Sequence, residues 1–584
     1  MAYKDTTVWY REQQPTRGFQ SSVAHRLHIG LGSVNQLDSL IVIWPDRTYQ
    51  KIFDLEVNQQ LRLHQSNASG RFDYKQLRDP RRDTYLQDIT DQSGLDHQPG
   101  MSDVDDIAKN PLMPFSHTTD SPALAVADVN GDSLDDVYIG GAAGIAGAIY
   151  LQNPDGSFST QDESVFELHR KSTDVDALFF DANGNGSPDL YVVSGGGWRT
   201  GADPALIDRL YLNDGNGRFR PSRNSLPVIF SNGSSVAAAD FDSDGDQDLF
   251  VGGQSIPHNY GKSPESYLLR NDGNAYFTEV TDSLAPGLQK IGMINDAVWR
   301  NLDQQGAPEL ILAGEWMPLT IFAYNGNRWI NQTEKFGLSK TGGLWQSLSV
   351  SDFNNDGRLD IAAGNLGTNS QLSASPDSPL RLYVHPFAGS GTSVPVIAKN
   401  VNGKWVPHEK LDELTLEMPE LKEQFQSHKH FSTSGLSDIF SQEEVEAAQQ
   451  KNVYTLESTI FYQQENKRFS AHKLPFMAQT LPVFAIEPGD FNSDSQMDLL
   501  MGGNLMPVKP SYGGSLDAGT GLFLTGSDGS NFHPLPNTQS GFWAEGQIRA
   551  IKKGRGVSGQ MYIFVARYSQ PPLIFSYNPQ SQTE

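Results

Sequence analysis

The chain has 584 residues, no cysteine and a formal net charge of −25. The lack of cysteine excludes disulfides, thiolate zinc sites and cysteine nucleophiles. The acidic balance argues against nucleic acid or anionic lipid as a partner, because no basic stretch could neutralise phosphates. No apolar run approaches the roughly 18–20 residues of a membrane span, so we expect no transmembrane segment.

The N-terminal part of the chain predicts a small β module. Residues 1–66 contain short apolar and β-branched runs separated by Gly and Pro-Asp turns. The first 14 residues lack the apolar stretch of a targeting signal. We assign residues 1–66 to this module and residues 67–84 to a linker.

The rest of the chain is organised by two patterns that recur in step. The first is an acidic loop that leads into an apolar strand ending in glycine, as in DFDSDGDQDLFVGG from Asp240. Complete copies start at Asp128, Asp181, Asp240, Asp352 and Asp490, a worn copy starts at Asn301, and a nearly erased one starts at Ile551.

The second pattern is a strand, a turn and an aromatic residue, as in LYLNDGNGRF. Asn-Gly and Asp-Gly between apolar runs are typical of β-hairpins, because these residues accept positive φ. The aromatic positions are Phe158, Phe219, Phe277, Trp329, Phe469 and Phe532.

Both patterns repeat every 51 to 63 residues, apart from one long interval of about 140 residues. A unit of this length with about four strands is typical of a propeller blade. We therefore predict an all-β chain whose residues 85–584 form a seven-bladed β-propeller. The long interval holds either one blade with a helical insertion at about 408–450, which we favour, or two blades, which would give eight.

Two further expectations follow from the same arithmetic. The strand near Tyr85 to Thr90, just before the first blade, is expected to complete the last blade and so close the ring. A set of separate β-sandwiches is the alternative architecture, but sandwiches need not keep two motifs in register over this length.

The acidic loops predict metal binding. Oxygen-bearing side chains stand at loop positions 1, 3, 5 and 9, and alternate positions in a tight loop point inward together. Oxygen donors alone suit a hard cation, and the mixture of carboxylates and amides favours Ca²⁺ over Mg²⁺. The predicted ligands, for about five ions, are Asp128, Asn130, Asp132, Asp136; Asp181, Asn183, Asn185, Asp189; Asp240, Asp242, Asp244, Asp248; Asp352, Asn354, Asp356, Asp360; Asp490, Asn492, Asp494 and Asp498.

The loops are not EF-hands. Their twelfth position is apolar, for example Ile139 or Val251, where an EF-hand has a bidentate Glu, and a strand follows instead of a helix. The expected role of the ions is to stabilise successive hairpins, with direct bridging to a ligand as the alternative. The copies at Asn301 and Ile551 have lost carboxylates and are expected to fold without an ion.

The acidic loop followed by an apolar strand and Gly-Gly resembles the FG-GAP or VCBS repeats of integrin-like β-propellers, over about Asp88 to Tyr577. The resemblance implies calcium in the five complete loops, on one side of the ring. It also implies adhesion or ligand binding, and no specific activity.

The first 66 residues resemble the C-terminal part of an ASPIC/UnbV domain. The residues that carry this likeness are RGFQSSV (Arg17 to Val23), HIGLG (His28 to Gly32), DSLIVIWPDRTYQ (Asp38 to Gln50) and VNQQLRL (Val57 to Leu63). The resemblance implies a piece of a large bacterial surface or secreted protein, outside the cell or associated with the outer membrane.

No catalytic motif stands out: HExxH and GxSxG are missing, and the 13 His are scattered. Gly-rich strand ends near Trp198, Trp316 and Trp345 indicate either close packing or a ligand surface suited to a glycan. We therefore predict a non-catalytic, calcium-stabilised binding or adhesion module for protein or glycan. The alternatives are a polysaccharide-active, lyase-like enzyme and a structural spacer of a larger surface assembly.

Overall fold

A computed structural model describes residues 1–5, 7–16, 20–74, 84–160, 164–527 and 531–577. Part of the RGFQSSV motif (17–19), half of the predicted linker (75–83) and the turn before Phe532 (528–530) lie outside the described residues. The chain divides into two compact units, Met1–Asp83 and Thr84–Glu584.

The first unit contains one antiparallel sheet with the strand order β2-β1-β3-β4. Its core is small and centres on Leu37 and Leu40 of one long strand, with Ala2 beside them. The strands are β1 (Ala2–Lys4), β2 (Thr7–Trp9), β3 (Gln36–Ile43) and β4 (Tyr49–Glu56), and a 3-10 turn follows at Gln65–Asn67.

Within the described residues, the second unit contains seven antiparallel sheets that carry the repeats, and each is built around a path of four strands. The short strand β5 (Gln87–Asp88) precedes them. The first three repeat sheets consist of β6 (Leu124–Ala127), β7 (Asp136–Ile139), β8 (Ala148–Gln152) and β9 (Phe158–Thr160); β10 (Thr173–Phe180), β11 (Asp189–Gly195), β12 (Arg209–Asn213) and β13 (Phe219–Pro221); and β14 (Gly233–Ala239), β15 (Asp248–Gly253), β16 (Tyr267–Asn271) and β17 (Phe277–Glu279).

The fourth repeat sheet has a fifth short strand, β22, paired with β19. The strands that follow β17 are β18 (Met293–Arg300), β19 (Glu309–Met317), β20 (Thr320–Tyr324), β21 (Trp329–Asn331), β22 (Gly343–Leu344), β23 (Ser347–Ser351), β24 (Asp360–Gly364), β25 (Leu380–His385), β26 (Val394–Val401), β27 (Lys404–Pro407), β28 (Gln449–Val453), β29 (Thr459–Gln463), β30 (Phe469–Lys473), β31 (Val483–Gly489), β32 (Asp498–Gly503), β33 (Leu522–Ser527), β34 (Asn531–Leu535), β35 (Ile548–Arg555), β36 (Met561–Arg567) and β37 (Gln570–Tyr577).

The repeat sheets form a closed ring. The first strands β6, β10, β14, β18, β23, β31 and β35 pack against one another in chain order, and β35 packs against β6. The last sheet, β35-β36-β37, takes its fourth strand from β5, with Asp88 opposite Phe575. Since seven sheets arranged around an axis are a propeller, the all-β propeller fold is confirmed, and its closing strand lies in the predicted segment.

The second strand of each sheet is the most deeply buried. Every residue of β11, β15 and β19 is buried. These strands have a hydrogen-bonded neighbour on both sides and a packed sheet on each face, so they read as continuous apolar runs.

The long interval between repeats contains more than helices. Between β24 and β29 of the fifth sheet, the chain builds a separate antiparallel sheet with the order β27-β26-β25-β28. The predicted helical segment at about 408–450 does contain five short helices, but the sequence analysis missed the strands on both sides of it. The α-helices of the described residues are α1 (Thr90–Ser93), α2 (Asp106–Lys109), α3 (Ser164–Glu167), α4 (Thr281–Leu284), α5 (Leu411–Glu417), α6 (Leu421–Gln424), α7 (His428–Phe431), α8 (Leu436–Ile439), α9 (Gln442–Ala447) and α10 (Asn537–Ser540).

The inserted sheet is the middle layer of a cap. Leu382 and Ile397 belong to a core shared with ring residues such as Trp316, whereas Tyr383 and Val396 pack among the helices. Side chains alternate between the two faces of a strand, which explains why neighbouring residues join different cores.

The ring has two different ends because its sheets are antiparallel meanders. The acidic loops and the turns between third and fourth strands lie at one end, which we call the loop end. The connections between second and third strands, including the insertion, lie at the other, which we call the covered end. There, Phe115 of the segment before β6 forms a β-bridge with Val508, and Lys509 donates its backbone N–H to Pro114.

The nearly erased copy predicted at Ile551 is not a loop. Ile551 lies inside β35, which continues to Arg555, and only a short turn at Val557–Gly559 joins β35 to β36. This correction has a simple cause: the segment lacks the carboxylate at position 1 that folds the other loops, so β35 continues through Lys552 and Lys553 to Arg555.

Candidate functional site

The five complete acidic loops share one fold, and position 1 organises it. In the third sheet, the two carboxylate oxygens of Asp240 accept the backbone N–H groups of Asp244 and Gly245, each at 3.1 Å. The equivalent pairs of bonds recur at Asp128, Asp181, Asp352 and Asp490. The carboxylate at position 1 therefore holds the backbone of the loop in a tight turn around it.

Position 9 ties each loop to its sheet. Asp248 is fully buried, and its oxygens accept N–H from Phe241 of the loop at 3.1 Å and from Asn271 of the third strand at 2.8 Å. The same two bonds are made at Asp136, Asp189, Asp360 and Asp498. This residue anchors the start of the second strand as well as facing the loop.

The charge of the ninth position is poorly compensated by the protein. Burial, together with the nearby carboxylates of Asp242 and Asp244, raises the pKa of Asp248 to about 7. The pKa of Asp136, Asp360 and Asp498 is likewise raised to about 7, and that of Asp189 to about 6, with burial as the main cause in each case. A divalent cation in the loop would offset this cost.

The loop of the third sheet brings its donors together most closely. One carboxylate oxygen each from Asp240, Asp242 and Asp244 lie within 4.8 Å of one another. Ca²⁺ takes oxygen ligands at 2.3–2.6 Å, so its ligand atoms can be up to about 5 Å apart. The residues at positions 1, 3 and 5 of this loop thus fit a calcium ion.

The other complete loops differ in what faces position 5. In the first, fifth and sixth sheets, an Asn at position 3 donates its amide to the Asp at position 5, as Asn130 does to Asp132 at 3.1 Å. In the fifth sheet, Arg358 also contacts Asp356 at 2.5 Å. The side-chain amide of the Asn can rotate so that its oxygen faces an ion in the loop. The guanidinium of Arg358, in contrast, competes with an ion for the carboxylate of Asp356. In the second sheet, Asn183 donates to the ninth-position Asp189 instead.

The worn copy at Asn301 keeps the loop fold with fewer charges. Asn301 accepts the N–H of Gln305 at 3.0 Å and donates its amide to the carbonyl of Gly306. Glu309 at position 9 is buried and accepts the N–H of Leu302 at 2.8 Å. These contacts satisfy the backbone of the loop without a cluster of carboxylates.

The sequence analysis missed a set of amides that join neighbouring sheets at the loop end. At the end of the third strand, Asn213 donates its side-chain amide to the carbonyl of Val129 in the preceding loop, at 2.8 Å. Asn271 donates in the same way to Ala182. Gln463 donates to Leu302 and Gln152 to Arg555. The signal was present as an Asn or Gln that ends an otherwise apolar strand.

A second polar cluster lies at the covered end. Tyr260 donates to Glu315 at 2.7 Å, and His117 Nε2 lies 3.5 Å from Glu315 Oε1. Burial alone would lower the pKa of His117, but Glu315, Asp120 and Asp106 outweigh it and raise that pKa. The types of residue resemble those of an acid–base site.

This cluster is closed to solvent. His117, Tyr260 and Glu315 are 7%, 3% and 1% exposed, and the inserted sheet and the segment before β6 pack over them. Burial also lowers the pKa of the nearby Lys451 to about 8. The geometry therefore supports a role in holding the cap to the ring.

The structure decides between close packing and an aromatic ligand surface for two of the three tryptophans considered. Trp316 is 2% exposed and Trp345 is fully buried. The indole N–H of Trp316 donates to Tyr260 at 2.9 Å, and that of Trp345 donates to the carbonyl of Thr341. The packing interpretation explains these residues, because strand ends and the cap meet there without space for a ligand.

Comparison with protein families matches both units. Residues 1–70 match the family described as ASPIC and UnbV. Residues 128–192, 181–251 and 301–363 match the FG-GAP-like repeat. The chain therefore carries an N-terminal ASPIC/UnbV domain and FG-GAP-like repeats, as the sequence motifs indicated. No curated protein matches the chain.

Solved propeller-like structures resemble the chain only distantly. BBS1N in complex with ARL6DN is 11% identical with a TM-score of 0.38, and the match covers 85% of this chain and 98% of that one. YCF48 bound to D1 peptide is 9% identical with a TM-score of 0.33, over 83% and 99% of the two chains. The Dos1 propeller is 9% identical with a TM-score of 0.35, over 81% and 97%.

The closed ring defines the class of this protein as a β-propeller, and residues 128–251 and 301–363 of it match FG-GAP-like repeats; this fold suggests a binding or interaction module. Within the described residues, no helix is long and apolar enough to cross a membrane.

Proposed function

We propose that the chain is a calcium-stabilised, non-catalytic β-propeller that binds a protein or glycan, either secreted or at the cell surface. The observation that carries the proposal is the convergence of Asp240, Asp242 and Asp244 in a loop whose fold recurs four more times. About five Ca²⁺ ions would bind at the loop end, with positions 1, 3, 5 and 9 as ligands.

The ions act on stability in this account. The loops join the first and second strands of their sheets, and the amides of Asn213 and Asn271 link the first and second loops to the next sheet. An ion that neutralises either of these two loops would therefore support two sheets. Each ion that binds only the folded state adds about 2.7 kcal/mol at a concentration 100 times its dissociation constant.

The position of the cap restricts where a partner can bind. The core shared by Leu382, Ile397 and Trp316 fills the covered end of the ring. A partner would then contact the outer surface of the insertion or the loop end, where the carboxylates and the ions lie. The buried state of His117 and Glu315 favours binding over lyase chemistry, since a polymer has no path to them.

Thermal unfolding with Ca²⁺ and with a chelator tests the proposal. We expect a rise in Tm of more than 10 °C on addition of Ca²⁺, on the order of several kcal/mol over the whole ring. Asp244→Asn should reduce the rise, whereas Asp246→Asn, which removes the same charge from the same loop at a position outside the predicted ligands, should not. Identical melting curves in Ca²⁺ and chelator would refute the calcium claim.

Binding needs its own assay. The purified chain, with Ca²⁺ and after chelation, should retain a specific protein or a defined set of glycans in pull-down and glycan-array experiments. Turnover of a uronate-rich polymer would instead support the enzymatic alternative, and a stable protein partner without any ligand on the array would support the spacer.

A further inference from the structure

The loop of the fourth sheet has a positive charge beside it, supplied by the neighbouring sheet, where the other loops would hold an ion. Lys467, in the turn between β29 and β30, places its ammonium 3.3 Å from Oδ2 of Asp303, the position-3 residue of the worn loop. This is a contact between neighbouring sheets, because Lys467 belongs to the fifth sheet and Asp303 to the fourth.

The turn position of Lys467 requires a positive φ. Lys467 has φ +63°, and its N–H donates to the carbonyl of Gln464. Gly156 and Gly217 occupy the same position in the hairpins of the first and second sheets, with φ +84° and +74°, and the small residue Ala275 occupies it in the third, with φ +64°. A side chain other than Gly costs roughly 1–2 kcal/mol in this conformation, so the lysine is not the residue that the turn itself favours.

The same turn position reaches the preceding loop elsewhere in the ring. Gly217 donates its N–H to the carbonyl of Val129 at 3.1 Å, next to the loop that starts at Asp128. A glycine approaches a complete loop there, whereas a lysine approaches the worn loop that starts at Asn301. The loop that has fewer carboxylates is therefore the one that a lysine contacts.

The charges around Lys467 agree with this reading. The worn loop has carboxylates at Asp303 and Glu309 only, and Asn301 and Gln305 occupy positions 1 and 5. One ammonium offsets much of this charge, while the complete third loop has carboxylates at all four ligand positions and would need a divalent ion.

We propose that the ammonium of Lys467 replaces the metal ion at the fourth loop, so that this contact between sheets is independent of metal. The inference rests on the proposed function, because a lysine replaces an ion only where the equivalent loops bind one. A chelator would then weaken the contacts at the complete loops and leave the contact between Lys467 and Asp303 unchanged.

Crystals of the whole chain soaked in terbium chloride test this proposal by anomalous diffraction. In the wild type we expect terbium at the complete loops and none at the fourth loop. In the triple variant Asn301→Asp, Gln305→Asp, Lys467→Gln, we expect an additional terbium there. The double variant Asn301→Asp, Gln305→Asp, which keeps the lysine, should bind terbium at this loop at least tenfold more weakly than the triple variant in titrations.

Terbium at the fourth loop of the wild type would overturn the proposal, as would equal affinities of the double and triple variants or a triple variant without the extra ion. Wild-type crystals without terbium at any complete loop would instead refute the proposed function, while the comparison of double and triple variants would still decide the role of Lys467. Circular dichroism of each variant provides the control for folding.

Discussion

The two ends of the ring use the same repeat in opposite ways. At the covered end, strands finish under the insertion, and polar groups such as Glu315 and Tyr260 are paired with each other. At the loop end, the buried Asp248 has backbone donors only, and its pKa is raised to about 7. The comparison teaches that one end is completed by the chain itself, whereas the other has a charge that an external cation would balance.

The largest effect should come from the covered end and should not depend on metal. Trp316→Ala removes a fully packed side chain and its hydrogen bond to Tyr260, so we expect a loss of about 3–5 kcal/mol in the free energy of unfolding. Urea denaturation in Ca²⁺ and in chelator should give the same loss. Phe476→Ala, at a side chain that is 76% exposed, is the control. A loss of unfolding free energy that appears only in Ca²⁺ would show that the stability of the covered end depends on the ions at the loop end.

Truncation at the loop end should be smaller and should depend on metal. Asp248→Ala leaves two buried backbone donors without an acceptor, which costs about 3 kcal/mol. It also removes one ligand, so the variant should gain less from Ca²⁺ than the wild type in thermal unfolding. An unchanged gain would mean that position 9 anchors the strand but does not bind the ion.

Stability without calcium should fall as the pH rises from 5 to 8. The ninth-position carboxylates have pKa values near 7 in the folded state, above those of the unfolded chain, so the folded state holds more protons between these values. The stability that protonation gives is present at low pH and is lost as pH passes 7. We expect Tm in chelator to drop on the order of 5 °C over this range, and to change less in Ca²⁺. An ion-free protein whose Tm rises with pH would contradict this assignment.

The smallest effect should concern differences among the complete loops. Arg358 contacts the position-5 carboxylate of Asp356 and competes with an ion for it. Arg358→Gln should therefore raise the calcium affinity of the fifth loop by roughly threefold, since exposed ion pairs contribute at most about 1 kcal/mol. Arg170→Gln, at an exposed arginine paired with Glu167 outside the acidic loops, is the matched control. If calcium titrations give the same affinity for the two variants, the predicted competition between Arg358 and the ion is wrong.

Much of the fold could be predicted because the repeats recur at the spacing that is typical of propeller blades. Turn residues and the spacing of Asp128, Asp181 and Asp240 located the sheets, and the segment around Asp88 was the only strand left to close the ring. The inserted strands could not be predicted in this way, because their pattern has no second copy. The failed loop at Ile551 shows the limit of matching worn repeats by position alone.

The site was predictable in composition but not in its contacts. Spacing gave the four positions of each loop, yet one of the two bonds of Asp248 comes from Asn271 on the third strand, more than twenty residues away. The neighbouring-sheet amides of Asn213 and Gln463 and the contact of Lys467 with Asp303 arise only when the ring closes. Burial of Trp316 likewise depends on the cap, which the local sequence does not encode.

The calcium content of the purified chain tests the central claim most directly. After gel filtration in buffer with Ca²⁺ and removal of free ions, elemental analysis should find about five calcium ions per chain, one for each complete loop, and about four for Asp244→Asn. A chain that emerges folded and without bound calcium would contradict the account of the loop end.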